Sequence, residues 1–282
     1  MASATALITA HSDSARLDAE VLLAHVLERD RTWVYTHADE TLSAAQAQRY
    51  KELTARRADG TPVAYLTNEQ EFWSLPLRVS EQTLIPRPDT ELLVELALAR
   101  LPSTGAHVLE LGTGTGAIAI ALASESPDMT ITATDLSEDA LKVAQHNLER
   151  HGCTQINLVR SRWFDALEPR AYDLIVSNPP YIRQNDPHLL QGDVRSEPRL
   201  ALTSGADGLD AIREITAGAA GFMRPGAWLL LEHGYDQGPL VRELLQMQGF
   251  STISSHRDLG QHERVTEAQF NPAEQRVRRE RG

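Results

Sequence analysis

Two short stretches carry residue types whose spacing suggests chemistry. In LELGTGTGA (109–117) three glycines, Gly112, Gly114 and Gly116, stand where an apolar run gives way to a helix-like run. Glycine there lets a backbone turn sharply and lie close against a ligand, and the open amides at a helix start suit polar or anionic groups. Asp135 closes the next apolar run, where a carboxylate can take two hydrogen bonds from a ribose. The second stretch is SNPPY (177–181), directly after YDLIV (172–176). Asn178 offers a side-chain carbonyl acceptor. Pro179 is held in a narrow backbone range by the proline after it, and Pro180 has a preset φ and no N–H. Two rigid acceptors side by side match the two protons of a planar NH₂ group, and Tyr181 offers a flat face for stacking. An amide nitrogen is a poor nucleophile because its lone pair is delocalised. Acceptors on both N–H bonds push electron density back onto it and aim it at an electrophile such as a sulfonium methyl.

Each motif has a plainer reading. A glycine turn can join strand and helix without a ligand, and Gly112, Gly114 and Ala117 also fit the dinucleotide pattern GxGxxG/A. Asp135 alone reads as a helix-capping or solvated carboxylate, Glu110 either points into the glycine turn or is a strand-edge charge, and Asn-Pro-Pro reads as a local Asx turn. The combination favours a cofactor beside an amine-holding loop.

These residues need elements to place them. From 107 the chain alternates: HVLELG, GAIAIALASES, TITATD, SEDALKVAQHNLERHG, INLVRS and YDLIVSN, then a helix around 207–223, WLLLEHG, GPLVRELLQMQG, and a strand pair near 251–258 and 264–270. Strands alternating with helices imply a parallel sheet covered on both faces. The last two strands have no helix between them, so one is expected to run antiparallel at or beside the edge. The fourth parallel strand should lie beside the first, because strand order reverses there, which brings NPPY and the glycine loop to one crevice. Ahead of this unit, SARLDAEVLLAHVLER and SAAQAQRYKELTARRADG read as amphipathic helices, the second capped by Ser43 and stopped at Gly60. The expected division is a helical docking domain over 1–70, a hairpin-like connector over 71–88, a catalytic domain over 89–270 with Asp89 capping its first helix, and a basic tail over 271–282.

Composition narrows the class. The chain has 282 residues, 41% of them hydrophobic, and a single cysteine, Cys153, so it has no internal disulfide. No Cys/His spacing suggests a metal site. No stretch approaches the ~18 apolar residues of a membrane helix, and the N-terminus lacks a leader pattern, so a cytoplasmic protein is expected. A net charge of −12 argues against nonspecific nucleic-acid binding.

Taken together, LELGTGTG, Asp135 and NPPY resemble the class I S-adenosylmethionine-dependent methyltransferases that modify planar nitrogen. LIPRPDTELLVE (84–95), GDVRSEPRLAL with GADGLD (192–210), and LLLEHG with RDLGQHERVT narrow the resemblance to the release-factor glutamine methyltransferase family, the HemK/PrmC type. The resemblance implies a Rossmann-like, mostly parallel seven-stranded α/β sheet with a small N-terminal helical domain. It implies that Gly112, Thr113, Gly114, Thr115 and Gly116 cradle the amino-acid end of S-adenosylmethionine, that Asp135 holds its ribose, and that Trp163 lies by its adenine. Asn178, Pro179, Pro180 and Tyr181 would clamp the glutamine amide of the GGQ motif in class-1 peptide chain release factors, and no metal is implied. Glu197 is a candidate for lining the substrate channel; His233 reads as a packed histidine. The competing readings are a nucleic-acid methyltransferase acting on an exocyclic base amine, an NAD-dependent dehydrogenase, which leaves NPPY unexplained, and a binding module with a decayed site.

Overall fold

The computed structural model describes residues 1–9 and 12–272; most of the expected basic tail, 271–282, lies outside them. The chain divides into two units. One comprises residues 1–69, 79–81 and 186–197, and the other residues 70–78, 82–185 and 198–282.

The first unit is helical. Helices Ala15–Leu27 and Ala44–Ala58 bury Ala19, Leu22, Tyr50 and Leu53, joined by Ile8 and Leu66. Ser43 and Gln46 form a reciprocal capping box at the start of the second helix, satisfying two amides that a helix start leaves open. The unit extends beyond the expected 1–70, because 186–197 returns to it. The reason is a buried ion pair: Arg57 Nε donates to Asp18 at 2.6 Å and its Nη1 to Asp193 at 2.7 Å. A buried guanidinium needs more than one acceptor, and the chain after NPPY supplies the second.

In the second unit a hairpin, β1 (Glu69–Phe72) and β2 (Leu75–Arg78), precedes the helix Glu91–Arg100. Asp89 does not cap that helix: it sits inside a 3-10 turn, Pro88–Thr90, and faces Arg264 at 3.5 Å. The main strands are β3 (His107–Leu111), β4 (Thr130–Asp135), β5 (Ile156–Arg160), β6 (Tyr172–Ser177), β7 (Met223–Glu232), β8 (Ser251–Arg257) and β9 (Glu263–Gln269). They form a seven-stranded sheet ordered β5-β4-β3-β6-β7-β9-β8. The first five are parallel, and β9 inserts antiparallel between β7 and β8. Alternate residues feed two cores: Val108, Leu174 and Leu230 join the one with Leu93 and Ile120, while Leu109, Ile175 and Leu229 join the one with Ile212 and Val241. Burial on both faces is why these strands read as nearly unbroken apolar runs.

Register sets the site. Leu111 pairs with Thr134 on one side and Ser177 on the other. The residues that follow β3 and β6, Gly112 and Asn178, therefore leave the sheet at the same level as Asp135.

Candidate active site

At the carboxyl edge of the sheet the glycine loop is held by backbone bonds. The amides of Gly112 and Thr113 both donate to the Thr134 carbonyl, at 2.9 and 2.8 Å, and the Gly114 amide donates to Asp135 Oδ2 at 2.9 Å. Gly112 and Gly114 have φ of 75° and 56°, in the left-handed region that favours glycine. A Cβ on Gly114 would meet nothing within 4 Å, whereas one on Gly112 would stand 3.7 Å from the Trp163 ring. Asp135 Oδ1 accepts from the Ser137 amide at 2.8 Å, so this carboxylate ties the loop down and keeps lone pairs to spare. Burial pushes its pKa up.

Gly112, Thr113, Gly114, Thr115, Asp135, Trp163, Asn178 and Pro180 all line one cavity of about 510 Å³. Trp163 has a φ of 47°, an uncommon setting for a bulky residue, which turns the chain beside the glycine loop. Gly116 is not in the lining. A Cβ there would lie 3.3 Å from both Ile120 Cδ1 and Leu148 Cδ1, so its missing side chain serves helix packing.

Around NPPY the structure separates the four residues. Asn178 Nδ2 donates to Thr90 Oγ1 at 3.0 Å, which leaves Oδ1 as the acceptor end of the amide. Pro179 is buried and outside the lining. Tyr181 is also outside it: its hydroxyl turns to Glu232 Oε1 at 3.2 Å, an anchoring contact where a stacking face is expected.

Two residues of this arrangement escape sequence reasoning. Thr90 is buried and lines the cavity, where its hydroxyl accepts from Asn178. Glu232, at the end of β7, is 1% exposed, and burial pushes its carboxyl up to about 7. The available signal was an acid ending the apolar run WLLLE. Of the two readings of Glu110 the structure has the one in which it faces the glycine turn: it is fully buried, accepts from Thr113 Oγ1 at 2.7 Å, and burial pushes it up to about 8. His233 is packed as expected, with Nε2 2.8 Å from Thr266 Oγ1. Glu197 is buried within the first unit. Among the described residues, no group of three or more His, Cys, Asp and Glu could hold a metal ion, and no helix is long and apolar enough to cross a membrane.

Comparison with known proteins gives the family. Residues 1–67 match the family model "PrmC N-terminal domain" and residues 88–194 match "Methyltransferase small domain". The release factor glutamine methyltransferase of Pseudomonas aeruginosa is 52% identical over 259 residues, covering 92% of this chain and 94% of that protein. The protein of the same name from Escherichia coli is 49% identical over 255 residues, covering 90% and 92%. This chain belongs to the release factor glutamine methyltransferase family. A solved methyltransferase from Pyrococcus furiosus shares the fold at 18% identity, with a TM-score of 0.53 over 69% of this chain and 88% of that one.

As in other methyltransferases of this class, the methyl donor is S-adenosylmethionine, and the cavity fits it. The glycine loop is open where a Cβ on Gly114 would point, Asp135 has unused lone pairs, and the volume lies within the usual range for cofactor sites.

Proposed function

We propose that this chain methylates the side-chain amide nitrogen, N5, of the glutamine in the GGQ motif of class-1 peptide chain release factors. The observation behind the amide chemistry is the Asn178–Thr90 contact, which engages Nδ2 and leaves Oδ1 for a substrate NH₂; the glutamine and the release factor follow from the family to which the chain belongs. A substrate NH₂ donates one proton to Asn178 Oδ1 and the other to the carbonyl of the Pro179–Pro180 peptide. The two prolines hold the backbone in a narrow range and so fix the direction of that carbonyl. Bound S-adenosylmethionine supplies an electrophilic methyl on a sulfonium. Gly112 to Thr115 and Asp135 are the residues to hold its amino-acid end and ribose, with Trp163 by the adenine.

As methylation proceeds, positive charge grows on the substrate nitrogen. Acceptors already aimed at its two N–H bonds stabilise that charge without reorganising, and the proton leaves afterwards to solvent. No strong base is needed before attack. The first unit, with its own apolar core and a groove of about 760 Å³ lined in part by Leu23, Leu27, Trp33 and Tyr50, is read as the docking unit for the release factor. A lone glutamine offers little surface, so affinity has to come from remote contacts.

The test is mass spectrometry of a release factor incubated with this protein and S-adenosylmethionine. One added methyl on the GGQ glutamine is expected. Label from tritiated cofactor entering nucleic acid, with the release factor unmodified, would overturn the reading.

A further inference from the structure

The loop 178–181 is poorly equipped to hold itself in place. Two of its four residues, Pro179 and Pro180, have no N–H to donate. At its entry, Ser177 Oγ donates to the Leu111 carbonyl at 2.7 Å. Past its exit, the Ile182 amide donates to the Leu202 carbonyl at 2.9 Å. Between these points its shape depends on side chains brought from elsewhere.

Gln237 is one of them, and it is only 3% exposed. Its Oε1 accepts from the Gly234 amide at 2.8 Å. Its Nε2 donates to the Tyr181 carbonyl at 3.0 Å and to the Asp207 carbonyl at 3.3 Å. One buried amide thus joins three loops: the one after β6, the one before the helix Asp210–Ala219, and the one after β7. Its orientation is fixed, since a reversed amide would set Oε1 against two carbonyls and its NH₂ against an N–H. The neighbouring backbone leaves room for this contact alone. A Cβ on Gly208, at φ +81°, would stand 2.2 Å from the Tyr181 oxygen and 2.7 Å from Gln237 Nε2.

We propose that Gln237 is a positioning residue for methyl transfer: its buried amide locks the exit of the NPPY loop and so holds the Asn178 and Pro179 acceptors on the substrate nitrogen. Glu232 fixes the Tyr181 phenol, Gln237 fixes the Tyr181 carbonyl, and together they leave that residue no freedom to swing. In-line attack tolerates little displacement, so a loosened loop lowers turnover while the glycine loop and Asp135, which Gln237 does not touch, go on binding cofactor. The inference rests on the amide-clamp reading given under Proposed function.

The test uses full-length Gln237→Met, which keeps the volume and removes the donor, and Gly208→Ala, which crowds the same contact from the other side. Each is assayed for release-factor methylation, for S-adenosylhomocysteine affinity by calorimetry, and by fluorine NMR of protein carrying 3-fluorotyrosine. The Tyr181 signal, one of six tyrosines, is assigned by its loss in Tyr181→Phe. Both variants should lower kcat by ~10-fold or more, leave the S-adenosylhomocysteine Kd within about twofold, and shift or broaden the Tyr181 resonance. A kcat within about twofold of wild type would refute the proposal. So would loss of S-adenosylhomocysteine binding together with turnover, which would place Gln237 in the general support of the fold. Wild-type protein that leaves the release factor unmethylated would refute the functional reading alone, because the Tyr181 resonance reports on the loop without turnover.

Discussion

Replacing Thr90 with valine tests the clamp at its least obvious member. The substitution keeps the shape of the side chain and removes one hydroxyl. Thr90 sits at the start of the helix Glu91–Arg100, but its side chain makes no capping bond there, so helix stability should be little affected. What disappears is the acceptor for Asn178 Nδ2, at 3.0 Å. The lost hydrogen bond is worth about 1 kcal/mol net, and a polar group stranded by burial costs roughly 1–3 kcal/mol. With 1.4 kcal/mol to each factor of ten, kcat should fall by roughly 5- to 100-fold. The loss belongs in kcat because Asn178 then spends part of its time with NH₂ toward the substrate. Release-factor methylation at saturating substrate measures it, with S-adenosylhomocysteine calorimetry as the control. Thr90→Ser, which restores the hydroxyl, should recover most of the rate. A Thr90→Val enzyme with kcat within about twofold of wild type would show that the Asn178 amide is oriented by something else.

Asp135→Ala should weaken S-adenosylhomocysteine by ~1.5–3 kcal/mol or more, because it removes a ribose acceptor and also frees the Gly114 and Ser137 amides; unchanged affinity by calorimetry would misplace the cofactor. Asn178→Ala should leave that affinity near wild type and abolish most turnover, and a near-normal rate would sink the clamp. Trp33→Ala, in the groove of the first unit, should raise KM for intact release factor several-fold with kcat preserved, since docking energy is released equally in ground and transition states; an unchanged KM would remove the docking role from that groove. Glu110 and Glu232 are both raised from 4.5, to about 8 and about 7. The folded protein thus binds protons that the unfolded chain releases, and their stabilising effect is complete below about pH 4.5 and lost as pH rises through 7 to 8. Thermal unfolding from pH 4.5 to 8 should show Tm falling over that window, and Glu232→Gln should flatten the fall below about pH 7; a slope identical to wild type would contradict the burial argument.

The sheet, the strand reversal and the shared level of the two motif loops were readable from the chain, because each rests on a local pattern. Apolar runs of strand length, glycines at a strand–helix turn and an acid at the next strand end are all contiguous signals. The supporting residues were not. Thr90, Gln237 and Glu232 carry no contiguous signal of their own; each has its partner 50 to 90 positions away. Gly116 stands outside the cavity lining, and a Cβ there would crowd Ile120 of the helix it starts and Leu148 of the next one. The boundary at 70 missed residues 186–197 because the draw on that segment is the buried charge of Arg57, which no composition shift marks.

The buried acids at the carboxyl edge share one physical logic. Glu110 near the end of β3, Asp135 at the end of β4 and Glu232 at the end of β7 each accept hydrogen bonds from a loop that the sheet must hold still: Thr113, the Gly114 amide and Tyr181. All three have raised pKa values caused first by burial. A site built to bind an amide and stabilise positive charge on its nitrogen gains twice from such groups. Their carbonyl-like oxygens orient N–H and O–H donors, and any ionised member adds negative potential where charge grows. Kept behind the loops and out of the cavity lining in the case of Glu110 and Glu232, these carboxyls are withheld from the methyl group, so they support amide methylation without competing as nucleophiles. Moving one forward into the lining, as Thr90→Asp would, should therefore depress turnover more than Thr90→Val does, although both remove the same hydroxyl.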